Sequence, residues 1–205
     1  MGKSQIADKF AGKLEPVPDL FNPQLELNGF DQPQTPIVSK DAPNKLQLFQ
    51  WGYKASWMKA PLLNARFETV EEKKSFAPFI ENRCLILVDG FYEWQWLDAK
   101  GKKKQKYLMH LPKHEPFFLA GQFQEKVDRE SGEILSNYVI YTLEAEGVMK
   151  EIHNSKMRMP LAFSSLEAGW GFLETAEVKS FSTFETQAIP SGIGPSEHSA
   201  QGSLF

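Results

Sequence analysis

The sequence predicts an α+β fold: a curled, mainly antiparallel sheet or open β-barrel with peripheral helices. Three observations predict it. About eight short strand-like runs alternate with three or four helical stretches along the chain. Its 205 residues suffice for one domain with a proper core. Sixteen Phe and five Trp, an aromatic fraction of 13% with Tyr, imply a dense core or stacking surfaces.

Taken in order, Ser4 caps a short helix with Ile6, Phe10 and Leu14 on one face. Pro16–Pro23 is a loop, and Leu25 and Leu27 lead into the tight-turn signal Asn28-Gly29. Pro33–Pro36 breaks the chain again. Lys45–Trp51 alternates as a strand, Gly52–Pro61 is an aromatic loop, and Leu62–Phe67 has no decisive pattern. Thr69 and Glu72 make a capping box for a helix that turns Val70 and Phe76 inward and stops or bends at Pro78. After a central stretch, Asp98–Lys104 is a polar hairpin loop. Tyr107–Leu111, Phe117–Phe123 and Tyr138–Leu143 read as strands, Glu144–His153 as a helix and Arg158–Phe163 as a strand. Ser164 and Glu167 form a second capping box, before a helix through Trp170 and Leu173. Val178–Phe184 reads as a last strand. The domain spans residues 1–186, and 187–205, rich in Gly, Ser and Pro, form a flexible tail.

The central stretch is Cys84–Trp96. Leu85–Val88 suits a strand buried on both faces, and Asp89-Gly90 turns the chain. Beyond the turn, Phe91, Glu93 and Gln95 face one way and Tyr92, Trp94 and Trp96 the other. A carboxylate at Glu93, set among aromatic neighbours, is partly dehydrated; that raises its pKa and suits it to proton transfer near neutral pH. A solvated strand-edge Glu remains the alternative on this stretch alone.

Asn64-Ala65-Arg66-Phe67-Glu68, Glu93, and Ile152-His153-Asn154 with Met157-Arg158 are polar groups embedded in apolar sequence. An amide, arginines, a carboxylate and an imidazole brought together can orient a nucleophile, hold a phosphate and move protons. Other classes are excluded. A net charge of −3 does not advertise nucleic-acid binding, so such binding must use a local basic patch. The single cysteine, Cys84, rules out an internal disulfide and fits a reducing cytoplasm. No apolar run approaches a membrane span, and no secretory signal opens the chain. No cofactor is expected, since phosphate-loop and dinucleotide motifs are missing, and so is a serine nucleophile elbow. No metal is expected either: His110 and His114 straddle Leu111-Pro112 and cannot share a helix face.

Together, Trp51-Gly52, Asn64-Ala65-Arg66-Phe67-Glu68-Thr69, Arg83-Cys84-Leu85, Asp89-Gly90-Phe91-Tyr92-Glu93-Trp94, and Ile152-His153 with Arg158-Met159-Pro160-Leu161 resemble the SRAP family in content and order. These are the SOS-response-associated peptidase domains that sense abasic sites in DNA. The resemblance covers roughly Leu25 to Leu173. It implies the family's curled sheet and its chemistry. A cysteine exposed by removal of the initiator Met condenses with the ring-opened sugar aldehyde of an abasic site in single-stranded DNA and closes a thiazolidine. In that scheme Asn64, Glu93 and His153 are catalytic: Asn64 positions the nucleophile, Glu93 shuttles protons, and His153 polarises the sugar oxygen. Arg66 and Arg158 hold flanking phosphates, and Trp51 and Trp57 support unstacked bases, with core packing as their alternative.

This chain departs from the pattern at one place: it starts Met1-Gly2-Lys3-Ser4, with no cysteine after Met1. Either the catalytic strand lies upstream of this start, which is the expectation, or the chain is a nucleophile-less single-stranded-DNA-binding module. A peptidase acting on protein substrates is a further alternative implied by the family name. Gln201-Gly202-Ser203-Leu204-Phe205 resembles the bacterial sliding-clamp-binding pentapeptide, with Gln201, Leu204 and Phe205 as its anchors. The expected setting is cytoplasmic and nucleoid-associated.

Overall fold

The computed structural model describes residues 8–15, 26–54, 58–128, 132–178 and 183–190, with residues 6, 22 and 24. Its strands are β1 (Gln34–Ser39), β2 (Ala42–Trp51), β3 (Asn64–Arg66), β4 (Arg83–Val88), β5 (Phe91–Trp96), β6 (Lys104–His110), β7 (Phe117–Val127), β8 (Ile134–Glu144), β9 (Arg158–Pro160), β10 (Ala162–Phe163) and β11 (Glu185–Ile189). Two α-helices are described, α1 (Val148–Ile152) and α2 (Leu166–Thr175).

The main sheet closes on itself. It runs β10-β7-β4-β1-β2-β8-β3, and β7 also pairs with β8, so β7, β4, β1, β2 and β8 form a five-stranded ring. Most pairs are antiparallel; β2–β8 and β3–β8 are parallel. The predicted curled sheet with few helices is what the chain forms. β5, β6 and β11 make a second, three-stranded sheet. Alternate residues of the ring fill two apolar clusters. One gathers Ile37, Ile86, Leu119, Ile140 and Phe91; the other gathers Val38, Leu85, Ala120, Tyr141 and Phe172. β4 belongs to both because each of its faces is covered, as its unbroken apolar run predicts.

Several elements differ from expectation. β1 runs through Pro36, where the prolines predict a break. It pairs with β2 from Gln34 but with β4 only from Ile37, so at Pro36 one side of the backbone has no ladder to supply. The helix expected from Thr69 is a 3₁₀ turn at Phe67–Glu72, with Arg66 and not Thr69 at its N-cap, although Val70 and Phe76 are buried as predicted. The helix expected over Glu144–His153 shrinks to α1, because Glu144 stays in β8 opposite Arg158 and Gly147 turns the chain at φ 52°. The N-cap of α2 is Ser165, one residue later than expected, whose hydroxyl accepts the Ala168 N–H. Of the run expected as a strand over Val178–Phe184, residues 179–182 lie outside the described residues and Val178 and Phe184 are in no strand; the last described strand is Glu185–Ile189. Its Gln187–Ile189 pair with β6, so that part of the expected tail belongs to a sheet. Residues 191–205, with Gln201, Leu204 and Phe205, lie outside the described residues, and so does Trp57.

The run expected as one strand over Arg158–Phe163 is split at Leu161. Its N–H donates to Tyr141 of β8, and its carbonyl accepts from Ala120 of β7. β9 therefore pairs with β8 and β10 with β7, and the segment straddles the seam where the ring closes.

Candidate functional site

β3 and β9 carry the site. In β3, Ala65 is buried opposite Tyr141, so strand alternation sends Asn64 and Arg66 to the other face. β9 pairs with the same stretch of β8, and Thr142 has Arg66 across one ladder and Pro160 across the other. Between them lies an open groove of about 510 Å³ whose walls include Asn64, Arg66, Thr142, Lys156, Arg158 and Phe30.

Arg158 is held tightly. Its two terminal nitrogens donate to the two Glu68 oxygens at 2.9 and 2.7 Å, and Nη2 also donates to the Thr142 carbonyl at 2.6 Å. Glu68 Oε1 accepts the Glu144 N–H as well. Burial works to raise the Glu68 carboxyl, but the Arg158 fork, its charge and the backbone donors outweigh it and hold the group below its ordinary value. As a phosphate fork Arg158 is thus already engaged, in an ion pair with Glu68. Arg66 differs: it is exposed and forms no ion pair with a described residue. Of the groove residues, Asn64 and Arg158 each bury a polar atom, Oδ1 and Nε, without a hydrogen-bond partner among the described residues. An unsatisfied buried polar atom costs about 1–3 kcal/mol, which a polar ligand in the groove can offset.

His153 follows α1 and is 2% exposed. Its Nδ1 lies 2.8 Å from the Arg158 carbonyl and 3.2 Å from the Arg158 N–H. One ring nitrogen cannot both donate and accept; the shorter contact assigns the proton to Nδ1, so Nε2 is the basic atom. Burial lowers the His153 pKa against the opposing Arg158 hydrogen bond, with the Lys156 and Arg158 charges adding to the lowering. The ring is neutral at pH 7.

Glu93 is fully buried on β5, on the same inward face as Phe91, so the solvated strand-edge alternative falls away; its Oε2 accepts the Trp94 N–H at 3.3 Å. The His153 segment is tied to that strand. Asn154 accepts the Trp96 N–H at 3.0 Å and donates to its carbonyl at 2.9 Å, and Gln95 donates to the Glu151 carbonyl. Asn64, Arg66 and Arg158 therefore meet in one groove and His153 touches the Arg158 backbone. Glu93 sits on the strand to which the His153 segment is fastened.

Trp51 does not serve as a stacking surface. It is 6% exposed, packs in the core, and donates its indole N–H to the Leu63 carbonyl at 3.1 Å. Reaching a base requires breaking that packing. The aromatic at the groove is instead Phe30, 54% exposed and held by the turn that Asn28 caps. Lys156 and Thr142 are further wall residues that sequence reasoning did not single out. The Asn28-Gly29 turn was the only pointer to Phe30, and Lys156 lies between the two motifs that were noticed.

The SOS response associated peptidase (SRAP) family model matches residues 2–190. The chain belongs to the SRAP family. It is 35% identical over 131 residues to the abasic site processing protein YoaM of Bacillus subtilis, a stretch that covers 61% of this chain and 55% of YoaM. To YedK of Escherichia coli, also an abasic site processing protein, it is 32% identical over 116 residues, covering 56% and 49%. To HMCES of Xenopus tropicalis it is 27% identical over 191 residues, covering 76% and 55%. The SRAP chain thus spans about half the length of these relatives. Its fold is shared by a Bacteroides thetaiotaomicron protein, with TM-score 0.74 at 23% identity over 92% of this chain and 89% of that one. A Bordetella bronchiseptica protein gives TM-score 0.70 at 16% identity over 92% and 96%.

Proposed function

We propose that this SRAP chain recognises abasic sites in single-stranded DNA as part of a DNA-damage response. The observation that carries this reading is the groove itself, with an uncommitted Arg66 and the unsatisfied atoms of Asn64 and Arg158. Arg66 supplies charge for a backbone phosphate. Arg158, fixed by Glu68, offers Nε as a single oriented donor, and Asn64 Oδ1 accepts from a sugar hydroxyl. A neutral His153 with basic Nε2 takes up a proton as the sugar ring opens, and Glu93 is the second proton-transfer group. The names of the curated relatives support the substrate class.

A non-covalent mode is favoured by one specific observation. Cys84 is fully buried in β4, and burial pushes its thiol well above the ordinary range, so it cannot act as the nucleophile. The chain Met1–Phe205 is expected to bind without forming a denaturation-resistant adduct. Gel analysis after denaturation checks this; a stable adduct refutes it. We also propose a cytoplasmic setting and a sliding-clamp contact through Gln201, Leu204 and Phe205, supported by sequence alone. Among the described residues no helix is long and apolar enough to cross a membrane.

The deciding test is a binding titration with single strands that do or do not contain one abasic site. Tighter binding to the abasic strand, lost in Arg66→Ala by about tenfold, is expected. Equal affinity for both strands refutes abasic recognition and leaves a general single-strand binder.

A further inference from the structure

The tip of the β5–β6 hairpin, beyond Glu93, does not line the groove. It is rigidly built. The Asp98 carboxylate accepts the backbone N–H groups of Lys100, Lys102 and Lys103 at 2.9, 3.1 and 2.6 Å. Gly101, at φ 62°, lies against the Trp96 indole so closely that an added Cβ would come within 2.5 Å of the ring. The one acidic side chain of Leu97–Lys106 is thereby occupied by three donors, while Lys100, Lys102, Lys103 and Lys104 project into solvent. No described residue forms an ion pair with any of these four, and only Lys104 approaches a ring, Trp96, at 5.6 Å. Farther along the strand, Lys106 is committed to Glu26 and to the Tyr92 ring.

Beside this tip opens a second cleft, about 510 Å³, lined by Trp96, Leu97, Asp98, Ala99, Asn154 and Ser155. Its far wall belongs to the loop that also forms the groove. Asn154 and Ser155 face the cleft, whereas Lys156 and Arg158 line the groove. Adjacent Cα atoms are about 3.8 Å apart, so a single ridge of backbone separates the two spaces.

We propose that the Trp96 cleft and the lysine-bearing hairpin tip form a second subsite, which holds single-stranded DNA on the far side of the His153–Arg158 ridge from the groove. The chemistry identifies the occupant. Unpaired lysines on the tip beside a cleft that Trp96 helps to line fit a polyanion whose units carry flat rings, and Asn154 and Ser155 leave the far wall polar. The chain as a whole carries a net charge of −3, so this attraction is local to the tip. The proposal rests on the abasic-site reading only for the choice of DNA, not for the existence of the subsite.

The test is fluorescence anisotropy of the full chain with intact single strands of about 5 and about 16 nucleotides and with a short strand of about 5 nucleotides that carries one abasic site. The triple variant K100A/K102A/K103A is expected to lose tenfold or more in affinity for the long strand. Its slope of log affinity against log salt should shrink by about 2, from three lost phosphate contacts at roughly 0.7 each. Affinity for the short abasic strand and the melting temperature should not change, which also shows that the variant folds. Trp96→Ala should weaken long-strand binding about five- to hundredfold; if it unfolds, the lysine variant decides alone. Unchanged affinity and slope on the long strand overturn the subsite. If wild type binds short abasic and intact strands equally, abasic recognition fails, but the lysine variant on the long strand still decides the subsite.

Discussion

Asn64 shows how a polar side chain is placed at a cost to folding. Its Oδ1 is buried with no partner among the described residues, so the folded state carries a desolvation penalty there. Asn64→Leu is therefore expected to leave the melting temperature unchanged or raise it while abolishing preference for abasic strands, which calorimetry and a paired titration together measure. His153 has a folded-state pKa below its ordinary value. As pH falls, the unfolded chain takes up this proton first. The stability linked to His153 is thus complete above about pH 6.5 and is lost below it. His153→Gln should flatten that part of the pH–stability curve. Glu68 is lowered too, so its contribution is complete above about pH 4.3 and disappears as pH drops through the folded-state value. With 43% of its side chain exposed, the pair is worth at most about 1 kcal/mol, and E68Q should lose its difference from wild type in strong acid. Residue-level reading succeeded where alternation forces a side chain to one face, as at Glu93. At Trp51 it left base stacking and core packing both open, because an indole that stacks on bases and one that packs in a core look the same in sequence until the neighbouring strands are known; the structure puts this one in the core.

At the level of elements, apolar pattern and turn chemistry made β4, β5, β7 and β8 legible, since each is long or flanked by a clear turn. β1 was hidden because its prolines signal a break, and only the late start of its β4 partner makes Pro36 harmless. Short elements were the least legible. The Phe67–Glu72 turn and α1 sit between strands that dictate where they begin, so the capping signal at Thr69 and the helix start read at Glu144 were overridden by pairing. β11 begins directly after the run read as a strand over Val178–Phe184, whose residues 179–182 lie outside the described residues. Phe184 meets Phe91 at 5.2 Å and Phe117 at 5.8 Å between ring centres, and it seats the strand that follows. Phe184→Ala is expected to cost about 3 kcal/mol and to increase hydrogen exchange first along β11 and β6.

The whole molecule depends on closing the ring at β7–β8. Gly121 sits opposite Ile140 at that seam, and a Cβ there would come within 2.2 Å of the Val139 carbonyl oxygen. That neighbour is backbone and cannot rotate away. Gly121→Ala should therefore destabilise the domain by about 1–3 kcal/mol, seen as a lower denaturation midpoint with unchanged groove chemistry in the folded fraction. Closure of this kind was readable only as a class of fold, since which strands meet at a seam depends on pairings distant in sequence. The two walls of the groove hang from the same few residues of β8, with Arg66 and Pro160 both opposite Thr142. Walls bolted to one strand cannot hinge apart. Docking into such a fixed slot needs no lid to shut and no loop to order at the walls, so the speed of capture should follow diffusion and charge steering and not any conformational gate.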